Sequence, residues 1–208
     1  MKTKNMIKTI VFDLGGVYFC SGTKVIFRHL NKLKFLPEDR KRKIDYIFTG
    51  KEKALYGMGK LTRRQFWKAI AKKLQLSKNQ LLRLEKIWHS SYKPNRGMRT
   101  LVRRLRKNYR VIVFSGNIKE RVEYLHKKYG LLNEFDDFVF SFDFGTNKKE
   151  KKFYKILLKK IKCKPEECVC VDNSSQVLEM EKSLGMHTIL FKNAKQLKTD
   201  LRKFNIKI

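Results

Sequence analysis

Acidic side chains are scarce in this chain of 208 residues: 19 Asp and Glu stand against 50 Lys and Arg, a formal charge of +31. An excess of that size attracts polyanions, which points to nucleic acid, an anionic membrane surface or phosphorylated metabolites. Solvated lysine-rich helix faces give the same total, so charge alone names no partner. Prolines number only three, and no repeat or low-complexity linker breaks the chain, which excludes a solenoid and domains strung on a flexible tether. The four cysteines, Cys20, Cys163, Cys168 and Cys170, match neither a paired CxxC zinc site nor a dense disulfide framework, and they read as buried reduced thiols. No apolar run reaches the roughly 18 residues that a membrane span needs, and the first residues lead directly into a strand-like segment. The expectation is a soluble protein of a reducing compartment, the cytoplasm, with its oligomeric state open.

What is present is globular. Apolar residues make up 42% and aromatics 12%, enough for one α/β domain or a core domain with a small lid. Five short apolar, β-branched or aromatic runs (Ile7 to Phe12, Arg110 to Ser115, Asp137 to Ser141, Cys168 to Asp172, His187 to Phe191) read as buried parallel strands. Helical stretches of one crossover's length separate the later ones: Asn117 to Tyr129, Glu150 to Ile161 and Ser175 to Leu184, with Gly130 and Gly185 as stops. Almost a hundred residues with helical periodicity lie between the first two strands, more than a crossover needs. Two capping-box patterns, Thr62 with Gln65 and Ser77 with Gln80, start helices there, and Met98 to Lys107 returns to the sheet. The expected fold is therefore a Rossmann-like three-layer α/β core, residues 1–17 and 92–208, with a mainly parallel five-stranded sheet and an inserted helical cap, residues 18–91.

Ligands bind doubly wound sheets at the C-terminal ends of the strands. There the chain places Asp13-Leu14-Gly15-Gly16, Ser115-Gly116-Asn117, Lys148 after Gly145, and Asp172-Asn173-Ser174. Two carboxylates, a hydroxyl and an amine on one edge suit phosphoryl transfer, because a carboxylate attacking phosphorus splits one difficult displacement into two easier ones. A cation must offset the repulsion between anionic nucleophile and anionic substrate. Mg²⁺ prefers a few carboxylate or carbonyl oxygens, so Asp13, Asp172 and a carbonyl near Gly15 are its expected ligands. Lys148 would neutralise charge on nucleophile and phosphate, Ser115, Gly116 and Asn117 would bind phosphate oxygens, and Gly15 and Gly16 would let the backbone approach closely. Each piece alone has a plainer reading: strand-end Asp and Ser cap helices, and Lys148 opens a solvated lysine run. Order and placement together favour the chemical reading.

These segments resemble the haloacid dehalogenase-like superfamily over nearly the whole chain. VFDLGGV is similar to the family's first motif, with Asp13 as nucleophile. VIVFSGN resembles the second, with Ser115 as the phosphate-binding hydroxyl. DFGTNKKEKKFY resembles the third, mapping the family lysine onto Lys148 and placing Lys149 where proline is common. VCVDNSSQVLEMEKSLGMHTILF resembles the fourth, with Asp172 as metal-binding acid and Asn173, another metal-side position, where a second Asp is frequent. ALYGMGKLTRRQFWKAI is similar to the helical cap of the subgroup whose lid follows the first strand. The resemblance implies a Mg²⁺-dependent phosphomonoester hydrolase that passes through an aspartyl-phosphate and takes a small phosphorylated substrate. Gly15 stands where the family's phosphatases usually carry a second Asp, an acid–base group worth roughly 10²- to 10⁴-fold in rate.

Two alternatives stay open. One is a 2-haloacid dehalogenase, which also lacks that second acid and needs no metal. The other is a catalytically silent member that binds nucleic acid or a large assembly through its basic surface, for which Lys93 to Arg110 supplies eight basic residues and no acidic one. Phe66, Trp67, Trp88 and Tyr92 are placed either to stack on a substrate ring or, the ordinary role at this spacing, to form the cap's core. His89 would reach the site only if the cap folds over it.

Overall fold

The five apolar runs pair into one sheet in the computed structural model, which describes residues 6–20, 26, 33, 39 and 48–208. The strands are β1 (Thr9–Phe12), β2 (Arg110–Ser115), β3 (Asp137–Phe140), β4 (Cys168–Asp172) and β5 (His187–Leu190). Their order is β3-β2-β1-β4-β5 and every neighbouring pair is parallel. The described helices, numbered along the chain, begin with α1 (Lys51–Gly57), α2 (Arg63–Leu74) and α3 (Lys78–Ser90), all between β1 and β2. They continue with α4 (Met98–Leu105), α5 (Lys119–Tyr129), a single turn α6 (Ser141–Phe144), α7 (Lys151–Ile161), α8 (Ser175–Ser183) and α9 (Ala194–Lys203).

Strand alternation sorts the side chains into two apolar layers. Ile10 and Phe12 of β1 meet α4, α5 and α9 through Met98, Leu101, Val102, Val122, Leu125, Leu197 and Leu201. Val11, with Ile112, Val139, Cys168 and Cys170, faces the opposite way onto Phe153, Tyr154, Leu157 and Ile161 of α7. Helices thus cover both faces, which is why the strands read as continuous apolar runs rather than as alternating ones.

The residues before α4 build a separate aromatic core. Tyr56, Phe66, Trp67, Leu74, Leu84 and Trp88 are buried together with Phe48, Ile26 and Leu33. Tyr18 and Phe19 pack instead with the sheet cluster, edge to face at 5.1 Å. Both predicted capping boxes form: Thr62 accepts from the Gln65 amide and Ser77 from the Gln80 amide. Thr62→Ala is expected to lower stability by about 1 kcal/mol in urea unfolding, because it removes the hydroxyl that accepts the Gln65 backbone amide.

Several element ends fall one or two residues from expectation, and two of these shifts have a visible cause. Helix α5 begins at Lys119 because Ile118 stays extended, its amide held by Asn117 Oδ1 at 2.9 Å. Helix α4 ends at Leu105, where Arg106 turns and its guanidinium bonds the Asn133 carbonyl and Asp136. Among the described residues no helix is long and apolar enough to cross a membrane.

Candidate active site

Strand register sets the centre of the site. Phe12 pairs with Val171, and the Asp13 amide donates to the Val171 carbonyl at 3.0 Å, so Asp13 and Asp172 emerge side by side at the C-terminal edge. This is also where strand order reverses, the crevice of doubly wound sheets. Lys148, in the turn before α7, reaches between them: its Nζ donates to Asp13 Oδ1 and to Asp172 Oδ2, both at 2.7 Å. The lysine backbone is pinned by Tyr154, whose hydroxyl donates to the Lys148 carbonyl at 2.8 Å. Asp172 Oδ1 accepts the Ser174 amide at 2.8 Å.

The three side chains are 11%, 14% and 5% exposed for Asp13, Lys148 and Asp172, so water screens their charges little. Burial alone would lower the Lys148 ammonium, but Asp13 and Asp172 outweigh it and hold the group charged well above its ordinary range. Burial pushes the Asp13 carboxyl up, opposed by Lys148 and reinforced by Asp172.

The other expected residues gather at the same edge. Ser115 and Asn117 are buried, and both line a polar cavity of about 180 Å³ with Asp13, Gly15 and Gly116. A second cavity of about 360 Å³ opens from Asp13, Lys148 and Asp172 toward Gly57 and Met58 beneath the helical insertion. Gly16 holds φ +97°, and a Cβ there would fall 2.6 Å from Asn173 Nδ2, so the exposed Asn173 amide lies flat on the glycine. Ser141 Oγ lies within hydrogen-bond distance of both the Gly57 and the Asn117 carbonyls, tying α1 to the sheet edge.

Three cationic or acidic groups here were not anticipated. Lys53 of α1 lines both cavities, and burial together with the nearby Arg121 pulls it down to about 8. Arg121 of α5 is 2% exposed, and its guanidinium carbon lies 4.3 Å from the ring centres of both Trp88 and Tyr92. Glu181 of α8 is buried near Lys148 and Asp172. Arg121 and Glu181 each occupy a position of their helix's apolar stripe, beside Ile118, Val122 and Leu125 in one case and Leu178 in the other. A charge inside such a stripe was the available signal.

The oxygens present fit a hard divalent cation. Two carboxylates stand together, and the Gly15 carbonyl accepts no hydrogen bond among the described residues. Among the described residues no three or more His, Cys, Asp or Glu are grouped so as to hold a metal ion, but Mg²⁺ is commonly held by one or two carboxylates and keeps several waters.

Other candidates lie elsewhere or serve packing. Phe66, Trp67 and Trp88 belong to the aromatic core of the helices between β1 and β2, whereas Tyr92 lines the smaller cavity. His89 stacks between Trp88 and Tyr124, faces Glu85 at 3.5 Å, and lines a different cavity with Glu120 and Lys127. Of the eight basic residues from Lys93 to Arg110, four are spent on ion pairs: Arg99 and Arg103 on Glu134, Arg106 on Asp136 and Arg110 on Asp137.

Comparison with known proteins agrees with this geometry: residues 7–185 match the family model for haloacid dehalogenase-like hydrolases. The chain belongs to that family. This haloacid dehalogenase-like hydrolase is 28% identical over 167 residues to an uncharacterised protein of Dictyostelium discoideum, covering 78% of the chain and 70% of that relative. A family enzyme from Bacteroides thetaiotaomicron superimposes with a TM-score of 0.80 at 19% identity, over 95% of this chain and 99% of that one. The magnesium complex of the same enzyme gives 0.78 at 20% identity over 94% and 98%. The L-2-haloacid dehalogenase of Xanthobacter autotrophicus gives 0.65 at 16% identity over 98% and 85%. At these identities the superpositions establish the hydrolase's fold and leave its substrate to the chemistry of the site.

Proposed function

We propose that this hydrolase cleaves small phosphomonoesters through an aspartyl-phosphate on Asp13, with Mg²⁺ as cofactor. The observation that carries the reading is the Lys148 bridge between Asp13 and Asp172 at the sheet edge. A second buried carboxylate beside the nucleophile repels an anionic substrate and makes sense where a cation is recruited. Carbon–halogen hydrolysis needs no such cation, so a carboxylate pair suited to holding one favours the phosphatase reading over it. Asp13, Asp172 and the Gly15 carbonyl would hold Mg²⁺, with Asn173 at the rim, and the ion would offset the negative charge of the bound phosphate.

The chain's own residues supply the rest. An Asp13 carboxylate oxygen attacks phosphorus, while the Ser115 hydroxyl and the amides of Gly116 and Asn117 hold the phosphoryl oxygens in the smaller cavity, with Gly16 admitting the backbone close to them. Lys148 keeps the nucleophile oriented and neutralises charge as the phosphoryl group moves onto it. The larger cavity, at the low end of small-molecule sites, suits a small substrate with Lys53 and Met58 overhead.

The test is phosphate release from p-nitrophenyl phosphate with Mg²⁺, using Asp13→Asn as the background. Turnover should exceed that background, vanish with EDTA and return with added Mg²⁺. Equal rates from both proteins, or metal-independent chloride release from 2-chloropropionate, would remove the reading.

A further inference from the structure

Displacement at phosphorus leaves a departing alkoxide that needs a proton, yet Asp13 and Asp172 are the only carboxyl groups lining the two cavities among the described residues. Tyr92 stands in the open place. A Cβ built on Gly15 would lie 3.6 Å from Tyr92 Cε1 and 3.8 Å from its Oη, so the phenol occupies the space into which a side chain at residue 15 would extend. The ring lines the smaller cavity beside Asp13 and Ser115.

The hydroxyl has an unusual partner. Arg121 Nη1 donates to Tyr92 Oη at 3.2 Å, and the phenol's own proton has no acceptor among the described residues. Arg121 is buried between Trp88 and Tyr92, its Nε and Nη2 have no hydrogen-bond partner, and no carboxylate pairs with it among the described residues. A buried guanidinium without a counter-charge is costly to maintain. It becomes useful where negative charge forms beside it during a reaction.

We infer that Tyr92 is the proton donor to the leaving oxygen and that Arg121 is its positioning residue, a reading that rests on the phosphatase assignment. As the bond from Asp13 Oδ to phosphorus forms and the bond from phosphorus to the ester oxygen breaks, the phenol proton passes to that oxygen and releases an alcohol. The phenolate left behind is stabilised by Arg121. In the second half it takes a proton from the water that attacks the aspartyl-phosphate, which frees Asp13 and phosphate and restores the phenol.

The experiment compares kcat/KM for an alkyl phosphate, sn-glycerol 3-phosphate, with that for p-nitrophenyl phosphate, whose leaving group needs no acid. Because kcat/KM reports the step that expels the leaving group, Tyr92→Phe should lose roughly 10²-fold on the alkyl ester and change little on the aryl ester. The phenylalanine keeps the ring on Arg121, so the fold is preserved. Arg121→Gln should show the same selectivity for the alkyl ester. Equal losses on both esters, no loss on either, or a selective loss in Lys53→Met but not in Tyr92→Phe would overturn the assignment. An active wild type with a flat response to Tyr92→Phe sinks only the tyrosine. A wild type no faster than Asp13→Asn on both esters takes the phosphatase reading with it.

Discussion

Lys148→Met is expected to slow p-nitrophenyl phosphate turnover by about 10³-fold, the upper end for loss of one preorganised electrostatic group. The same ammonium touches the attacking carboxylate and its neighbour Asp172, each at 2.7 Å, so its removal disturbs both the nucleophile and the cation site. The substitution also leaves two buried carboxylates facing one another. Breaking a buried pair by removing one partner costs about 3–5 kcal/mol, and here two partners are stranded by one change. In EDTA, urea unfolding at neutral pH should show that loss, and Mg²⁺ should return part of it by supplying a cation in the ammonium's place. Lys148→Arg, which keeps the charge on a longer fork, should retain most of the stability and lose most of the rate. A methionine variant as active and as stable as the wild type would mean that the bridge does not organise this site.

Why so much of this was legible in the sequence comes down to strand register. Parallel strands covered on both faces are largely apolar along their length, so Thr9–Phe12, Arg110–Ser115 and Cys168–Asp172 stand out, and the polar residue that ends or directly follows each apolar run marks the ligand edge. Asp13, Ser115 and Asp172 are those residues. Lys148 lies on no strand; its place after Gly145 in the third unit and its resemblance to a family motif single it out, and its convergence depends on the turn that Tyr154 fastens.

Composition does not show which charges pair. In the basic stretch from Lys93 to Arg110, Arg99 and Arg103 are drawn onto Glu134, which is 2% exposed and lies beyond β2 in sequence. Pairings across more than thirty residues leave no local trace. Helix α9 gives little local signal, because its stripe, Leu197 and Leu201, is short and surrounded by lysines. Tyr92 and Arg121 fall in the same class. Nothing local marks their pairing, which forms only when α5 lies against the segment that leads from α3 into α4.

Glu181 gives the second large effect, on stability rather than rate. Its side chain is 2% exposed on α8 and its Oε2 has no hydrogen-bond partner among the described residues. Burial raises the carboxyl to about 8; Lys148 opposes the shift, and Asp172 and Asp13 add to it. An acid whose folded pKa lies above its unfolded value keeps its proton in the native state while the unfolded chain releases it. Stability from this group is therefore complete below its ordinary value of 4.5, falls as pH rises toward about 8, and is flat beyond. The slope in that window approaches about 1.4 kcal/mol per pH unit. Glu181→Gln keeps the shape and cannot ionise, so it should match the wild type at pH 5 within about 1 kcal/mol and exceed it at pH 9 by on the order of 4 kcal/mol. Urea unfolding of both proteins at the two pH values makes the comparison, since titrating groups remote from Glu181 cancel in the difference. If the gap between them does not widen with pH, the glutamate is charged in the native state, and Lys148 must then be shared among three carboxylates rather than two.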